Sequence, residues 1–162
     1  MNKPKLTIII PAYNEINTIQ NLIDKVSNLK IDKQIILIDD NSNDGTSEII
    51  KKNSTKLDKI IIHDENMGKG AAIKSAQKFI EGRYVVIQDA DLEYDPNDLY
   101  SLLDEIEKNR YKVVYGSRVL KNPKNKKSQN FSHSLRIAGN IFLTKLSNLL
   151  NRQKLTDAHT CY

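Results

Sequence analysis

Two carboxylates, Asp89 and Asp91, stand one residue apart at the end of the apolar run Tyr84-Val85-Val86-Ile87-Gln88. If the chain turns where that run ends, both can face one divalent cation. Carboxylate oxygens are hard donors suited to Mg²⁺ or Mn²⁺, and such an ion can bridge a diphosphate. Uncompensated neighbouring carboxylates repel one another, so the pair is costly unless a cation sits between them. The competing reading is structural: Asp95-Pro96 opens a helix, and the other acids of the stretch stand in solvent.

Further segments combine chemically useful residues in the same way. In Ile38-Asp39-Asp40-Asn41-Ser42 an acid follows a strand directly, where Asp40 can accept a hydrogen bond from a base or ribose or can shape a turn. Asp44-Gly45-Thr46 then reads as a helix cap. Asn66-Met67-Gly68-Lys69-Gly70 opens a helix, and Lys69 adds charge to backbone N–H groups that already favour an anion. It is not a Walker loop, whose first glycine and closing Ser/Thr are missing, and it reads equally well as a flexible helix start. Pro11-Ala12-Tyr13-Asn14-Glu15 ends a strand and offers an aromatic ring that can pack on a base or simply on the core. Tyr115-Gly116-Ser117-Arg118 presents an arginine able to clamp a phosphate, or to pair with the nearby carboxylates.

Positioning these residues requires strands that end where they begin. Leu6–Ile10, Gln34–Ile38, Lys59–His63, Tyr84–Gln88 and Val113–Tyr115 read as short, mostly apolar strands. Between them lie helical patterns. The first carries Ile16, Ile19, Leu22, Ile23, Val26 and Leu29, with Asn17 and Gln20 as a capping box or Asn14 as its rival. A short helix over Asp44–Asn53, one from about Gly70 to Glu81, and one bearing Leu99, Leu102, Leu103 and Ile106 follow. Continuous apolar strands alternating with helices predict a mostly parallel sheet covered on both faces. In such sheets ligands bind beyond the carboxyl ends of the strands, which is where the segments above fall.

The chain has 162 residues, 39% of them hydrophobic and 28% charged, enough for one domain with a real core and cramped for two. Through Ser117 it holds 16 Lys/Arg against 19 Asp/Glu, and from Arg118 onward 9 against 1. An acidic body with a basic end suggests a phosphate-bearing partner; nucleic acid, an anionic membrane surface and a solvated lysine-rich loop all satisfy the charge. Residues 119–133 read as a basic loop and 134–150 as an amphipathic helix. Between Arg118 and Arg152 the aromatic residues are Phe131 and Phe142, too few for a base-stacking surface, so nucleic acid ranks last. The single cysteine, Cys161, excludes an internal disulfide and suits a reducing compartment. The sequence shows no signal-peptide pattern and no membrane-length apolar run, so a cytoplasmic chain is expected.

Taken in order, these segments resemble family-2 glycosyltransferases of the GT-A fold, a Rossmann-like α/β architecture. Gln-Asp-Ala-Asp-Leu-Glu-Tyr-Asp-Pro, Tyr-Gly-Ser-Arg and Leu-Thr-Asp-Ala-His-Thr-Cys-Tyr are similar to the dolichol-phosphate mannosyltransferase branch and its bacterial relatives. The resemblance implies that Pro11, Ala12, Tyr13, Glu15, Ile38, Asp40 and Lys69 hold the nucleotide sugar, with Asp89, the Ala90 backbone and Asp91. It implies Mg²⁺ or Mn²⁺ on Asp89, Asp91 and Glu93, catalytic roles for Asp91 and Arg118, and an acceptor phosphate held by Arg118 with Arg136.

The activity so implied is transfer of a sugar from a nucleotide diphosphate to a polyprenyl or dolichyl phosphate, metal-dependent and inverting, on the cytoplasmic face of a membrane. The alternatives are a non-catalytic nucleotide-sugar binder and a transferase acting on a hydroxyl acceptor. Family members continue past the Thr-Cys-Tyr motif, so a truncated GT-A domain, or one completed by a partner chain, is the expectation for residues 1–162.

Overall fold

The computed structural model describes residues 3–117, 131–152 and 155–157. The chain divides into two compact units, Met1–Asp98 and Leu99–Tyr162. The first is built from β1 (Leu6–Ala12), α1 (Ile19–Asn28), β2 (Lys33–Asp39), α2 (Thr46–Lys52), β3 (Lys59–Ile62), α3 (Lys69–Ala76) and β4 (Tyr84–Ile87). Single 3₁₀ turns follow α2 at Ser54–Lys56 and α3 at Gln77–Phe79.

The strands form one parallel sheet in the order β3-β2-β1-β4. The chain steps from β1 to β2 to β3 in one direction, then crosses back to place β4 on the other side of β1. Right-handed crossovers put α1 and α2 on one face of such a sheet and α3 on the other. The packing agrees: α1 meets α2, while α3 lies on β1 and β2. Under α3, Ile9, Ile36, Ile38, Ala72 and Ala76 form a buried cluster, joined by Ile61, Phe79 and Ile80. Strand alternation sends Ile8, Ile10, Ile35 and Leu37 to the opposite face, and they too are buried. That double burial is why β1 and β2 read as continuous apolar runs.

Local structure departs from the sequence reading in places. Neither Asn14 nor Asn17 caps α1; Thr18 is the cap residue and makes no side-chain capping bond. Its hydroxyl donates instead to Glu15 O at 3.2 Å and Glu15 Oε2 at 2.7 Å. The helix expected over residues 70–81 begins one residue earlier and ends at Ala76, where the chain tightens so that Phe79 and Ile80 reach the core.

The second unit opens with α4 (Asp98–Asn109), where Leu99 and Leu103 are buried, and contains α5 (Phe131–Asn151). The expected fifth strand is absent among the described residues: Val113–Tyr115 pairs with nothing, and Val113 is 62% exposed. Branched and aromatic side chains favour a strand only where a neighbour supplies a ladder and a face to pack on. Within this unit α5 holds the segment after it, with Asn148 Nδ2 donating to Leu155 O and Leu155 N–H donating back to Asn148 Oδ1. Among the described residues, no helix is long and apolar enough to cross a membrane.

Candidate functional site

The reversal in strand order opens a crevice beyond the carboxyl ends of β1 and β4, the switch point at which α/β sheets bind ligands. A cleft of about 230 Å³ lies there, lined by Pro11, Ala12, Tyr13, Glu15, Asp40, Lys69, Ala72, Asp89, Ala90 and Asp91. Most residues singled out in the sequence as donor-binding candidates therefore share one cavity. Ile38 does not line it; its side chain is buried in the core under α3.

The rim at Tyr13–Ile16 is fastened to the β2–α2 loop. Asn14, in the left-handed region at φ 56°, donates its N–H to Ser42 Oγ at 3.0 Å, and its Oδ1 accepts from Asn43 N–H at 3.0 Å. Glu15 N–H donates to Thr46 Oγ1 at 2.8 Å and Ile16 N–H to Asp44 Oδ2 at 3.1 Å. Asp44 Oδ1 also receives the N–H and hydroxyl of Thr46, so it ties the rim to the first residue of α2, although the N-cap position itself is Gly45. Asp39, fully buried, anchors the same loop by accepting from Ser42 N–H and the Ser47 hydroxyl.

Asp40 is occupied from within the protein. Its Oδ1 receives Met67 N–H at 3.0 Å and lies 2.7 Å from His63 Nδ1, while its Oδ2 receives Gly68 N–H at 2.7 Å. Burial raises the Asp40 carboxyl, but the bonds from Met67, His63 and Gly68 and the charge of His63 outweigh it and hold the group below the usual carboxylate value. The other ring nitrogen of His63 lies 3.0 Å from Ser75 Oγ on α3. The sequence reading gave His63 no role. A polar ring at the end of a strand, 23 residues after the acid it meets, is paired only by the parallel alignment of β2 and β3.

The grip of Asp40 on residues 67 and 68 places the next residue, Lys69, at the start of α3. Gly68, at φ 84°, makes the bend that admits this approach. Lys69 Nζ then lies 2.5 Å from Asp89 Oδ1 across the cleft.

The Asp89–Glu93 turn is held from beneath by Gln88, whose side chain is fully buried. Its Nε2 donates to Asp89 O at 3.2 Å and to Tyr94 O at 3.4 Å. Asp91 Oδ1 accepts from Glu93 N–H at 3.0 Å, and Leu92 sits in the left-handed region at φ 63°, so the chain doubles back directly after the second acid. Such a conformation at a bulky residue is sparsely populated and persists where its surroundings enforce it.

Glu93 is exposed and does not line the cleft. Among the described residues, no three acidic, histidine or cysteine side chains are grouped to hold a metal. The chemistry of the remaining pair nevertheless suits Mg²⁺ or Mn²⁺, which take one or two protein carboxylates alongside substrate phosphates. That Asp89 already draws an ammonium group shows that the site attracts positive charge. Arg118 lies outside the described residues, as do most of the basic stretch 119–133 and Cys161; Arg136 falls on α5 with its side chain likewise outside them.

The fold has counterparts among solved structures. The chain is similar in structure to a mannosyltransferase of Pyrobaculum calidifontis in complex with GDP-Man and Mn²⁺, with a TM-score of 0.58 and 25% identity, covering 65% of this chain and 33% of that one. The architecture is that of the GT-A glycosyltransferases. The chain belongs to glycosyl transferase family 2, whose sequence profile matches residues 7–162. It is 32% identical to the UDP-N-acetylglucosamine–dolichyl-phosphate N-acetylglucosaminyltransferase of Methanococcus voltae, over 94% of this chain and 66% of that protein. It is also 32% identical to a dolichol-phosphate mannosyltransferase of Pyrococcus furiosus, over 74% of this chain and 35% of that protein. The chain thus spans about one third to two thirds of the length of these two relatives.

Proposed function

We propose that the chain binds a nucleotide-diphosphate sugar of the GDP-mannose or UDP-glucose type and passes the sugar to a polyprenyl or dolichyl phosphate, with inversion at the anomeric carbon. The observation that carries this reading is the convergence of Asp89, Asp91, Lys69, Asp40 and the Pro11–Glu15 segment on one cleft at the switch point. The two relatives, both transferases named for a dolichyl or dolichol phosphate, support the acceptor class, and the neighbour bound to GDP-Man and Mn²⁺ supports the donor class.

The roles divide by position. The rim at Tyr13–Glu15, braced by the β2–α2 loop, holds the nucleoside. Lys69 and the start of α3 face the diphosphate. Bound to Asp89 and Asp91, Mg²⁺ or Mn²⁺ would neutralise charge developing on the leaving diphosphate. Arg118, with Arg136, is assigned to the acceptor phosphate by family resemblance.

A phosphate monoester is its own anionic nucleophile, because its second pKa lies near ~6. One of its oxygens forms the bond to the anomeric carbon as the bond from that carbon to the diphosphate breaks, and the nucleotide leaves with the electron pair. No proton has to be removed, so the site needs no side-chain general base, unlike one serving a hydroxyl acceptor. A single displacement inverts the anomeric centre.

The direct test is a thermal-shift panel of GDP-, UDP- and dTDP-sugars, each with and without Mn²⁺. A ligand that binds only the folded state raises its apparent stability by mass action. One base should give a rise that depends on Mn²⁺; no rise with any member of the panel would overturn the reading.

The same proposal places the chain at the cytoplasmic face of a membrane, through the second unit. On α5 the side chains of Phe142, Leu149 and Leu150 are each more than 60% exposed, and the sequence from Arg118 onward holds 9 basic residues against 1 acid. Attraction to an anionic surface is worth about 1 kcal/mol per nearby basic residue. Co-sedimentation with phosphatidylserine vesicles should therefore be strong at low salt and fall as salt rises, with little binding to neutral vesicles. Equal binding to both would exclude electrostatic docking.

A further inference from the structure

The cleft already contains a cation of the protein's own. Lys69 Nζ stands 2.5 Å from Asp89 Oδ1, on the carboxylate that also belongs to the candidate metal pair. The lysine is placed there by the backbone: Asp40 fixes Met67 and Gly68, so the first residue of α3 points its side chain across the crevice to the end of β4. The side chain remains 54% exposed, so its long stem can swing without disturbing the core. An ammonium group and a divalent ion at one carboxylate oxygen repel each other strongly at such separations. The two cations therefore compete for that oxygen. A nucleotide diphosphate supplies the alternative partner, since its oxygens would lie at the same helix start and carry more negative charge than Asp89 alone.

We infer that Lys69 is a displaceable occupant of the cation position, which holds Asp89 in the nucleotide-free protein and moves to the diphosphate when the donor enters, so that metal and nucleotide load together. The inference rests on the donor-binding reading and adds an order to it: the empty cleft takes up metal poorly, because its own lysine is in the way. Free divalent ions then do not accumulate in a site without donor. The lysine serves the diphosphate in one state and the carboxylate in the other.

The test follows Mn²⁺ uptake by the full chain through the electron paramagnetic resonance signal of free Mn²⁺, first without nucleotide and then with UDP or GDP. Lys69→Met should raise the Mn²⁺ affinity of the nucleotide-free protein about 10-fold. It should also shrink the ratio of affinities measured with and without nucleotide. Lys69→Arg should behave like the parent, because the guanidinium can take the same carboxylate. Lys74→Met removes a charge from the same helix, beyond its first turn, and should change uptake less than about twofold. Melting curves of each variant confirm folding.

Equal Mn²⁺ affinity of the parent and Lys69→Met without nucleotide would overturn the inference and leave the donor-binding reading intact. An equal rise in Lys74→Met would also overturn it, by showing a general charge effect. No uptake by the parent with either nucleotide would overturn both readings.

Discussion

Asp91→Asn should weaken Mn²⁺-dependent binding of the nucleotide diphosphate by on the order of 100-fold, at or beyond the upper end of what loss of an outer-shell partner of a metal site costs. The side chain keeps its shape and can still accept from Glu93 N–H, so the turn at Leu92 survives and the loss reports charge and donor strength alone. Calorimetric titration with and without Mn²⁺ separates the two terms: binding without metal should change little, and the increment from metal should disappear. Glu93→Gln is the informative companion. Its carboxylate is exposed and outside the cleft, so binding should stay within about twofold of the parent, in line with the small effects of substitutions away from a site. A large loss in Glu93→Gln would return it to the metal site as a third ligand. An unchanged metal increment in Asp91→Asn would remove the pair from the proposed function.

The second large effect concerns stability. Asp40→Ala removes the acceptor for two backbone N–H groups and the His63 ring at a buried position, and should lower unfolding stability by about 3 kcal/mol. Urea denaturation measures it. The pH dependence has a definite sign. The folded Asp40 carboxyl is held below its unfolded value of about 3.9, so its contribution is fully present above that value. It is lost as pH falls through the lower, folded value. The stability gap between the parent and Asp40→Ala should therefore be wide at neutral pH and close on acidification below about pH 4. A gap that stayed wide well below about pH 4 would contradict the hydrogen-bond assignment.

Both effects start from residues legible in the sequence; Asp91 enters with the metal role the sequence suggests, whereas Asp40 is held by partners the sequence does not reveal. The strand ends located Tyr13, Asp40, Lys69, Asp89 and Asp91 because β-branched runs bounded by polar turns fix where a buried strand stops. A parallel sheet brings such ends together whatever the side chains there do. What Asp40 and Lys69 touch was not legible. Asp40 meets residues 27 and 28 positions later, and Lys69 meets Asp89 from a different strand end. Such pairings depend on the loop path, not on any local pattern. Gln88 was hidden in the same way, since a buried amide supporting a turn looks in sequence like any polar residue after a strand. Val113–Tyr115 failed for the opposite reason: its composition suits a strand, yet no ladder partner meets it among the described residues. The resemblance implies a donor contact for Ile38, whose side chain packs with Ile9 and Ala72 in the core.

The lacing of residues 14–16 to residues 42–46 has a consequence for anyone who would re-engineer this domain. Asn14, Glu15 and Ile16 on one loop and Ser42, Asn43, Asp44 and Thr46 on the other exchange their hydrogen bonds reciprocally, so neither loop has a complete set of partners without the other. A graft that imports one loop from a relative to change base preference would strand donors and acceptors on its neighbour. The two loops form a single transplantable cassette, to be moved together. The Asp89–Tyr94 turn draws on a different support, the buried amide of Gln88.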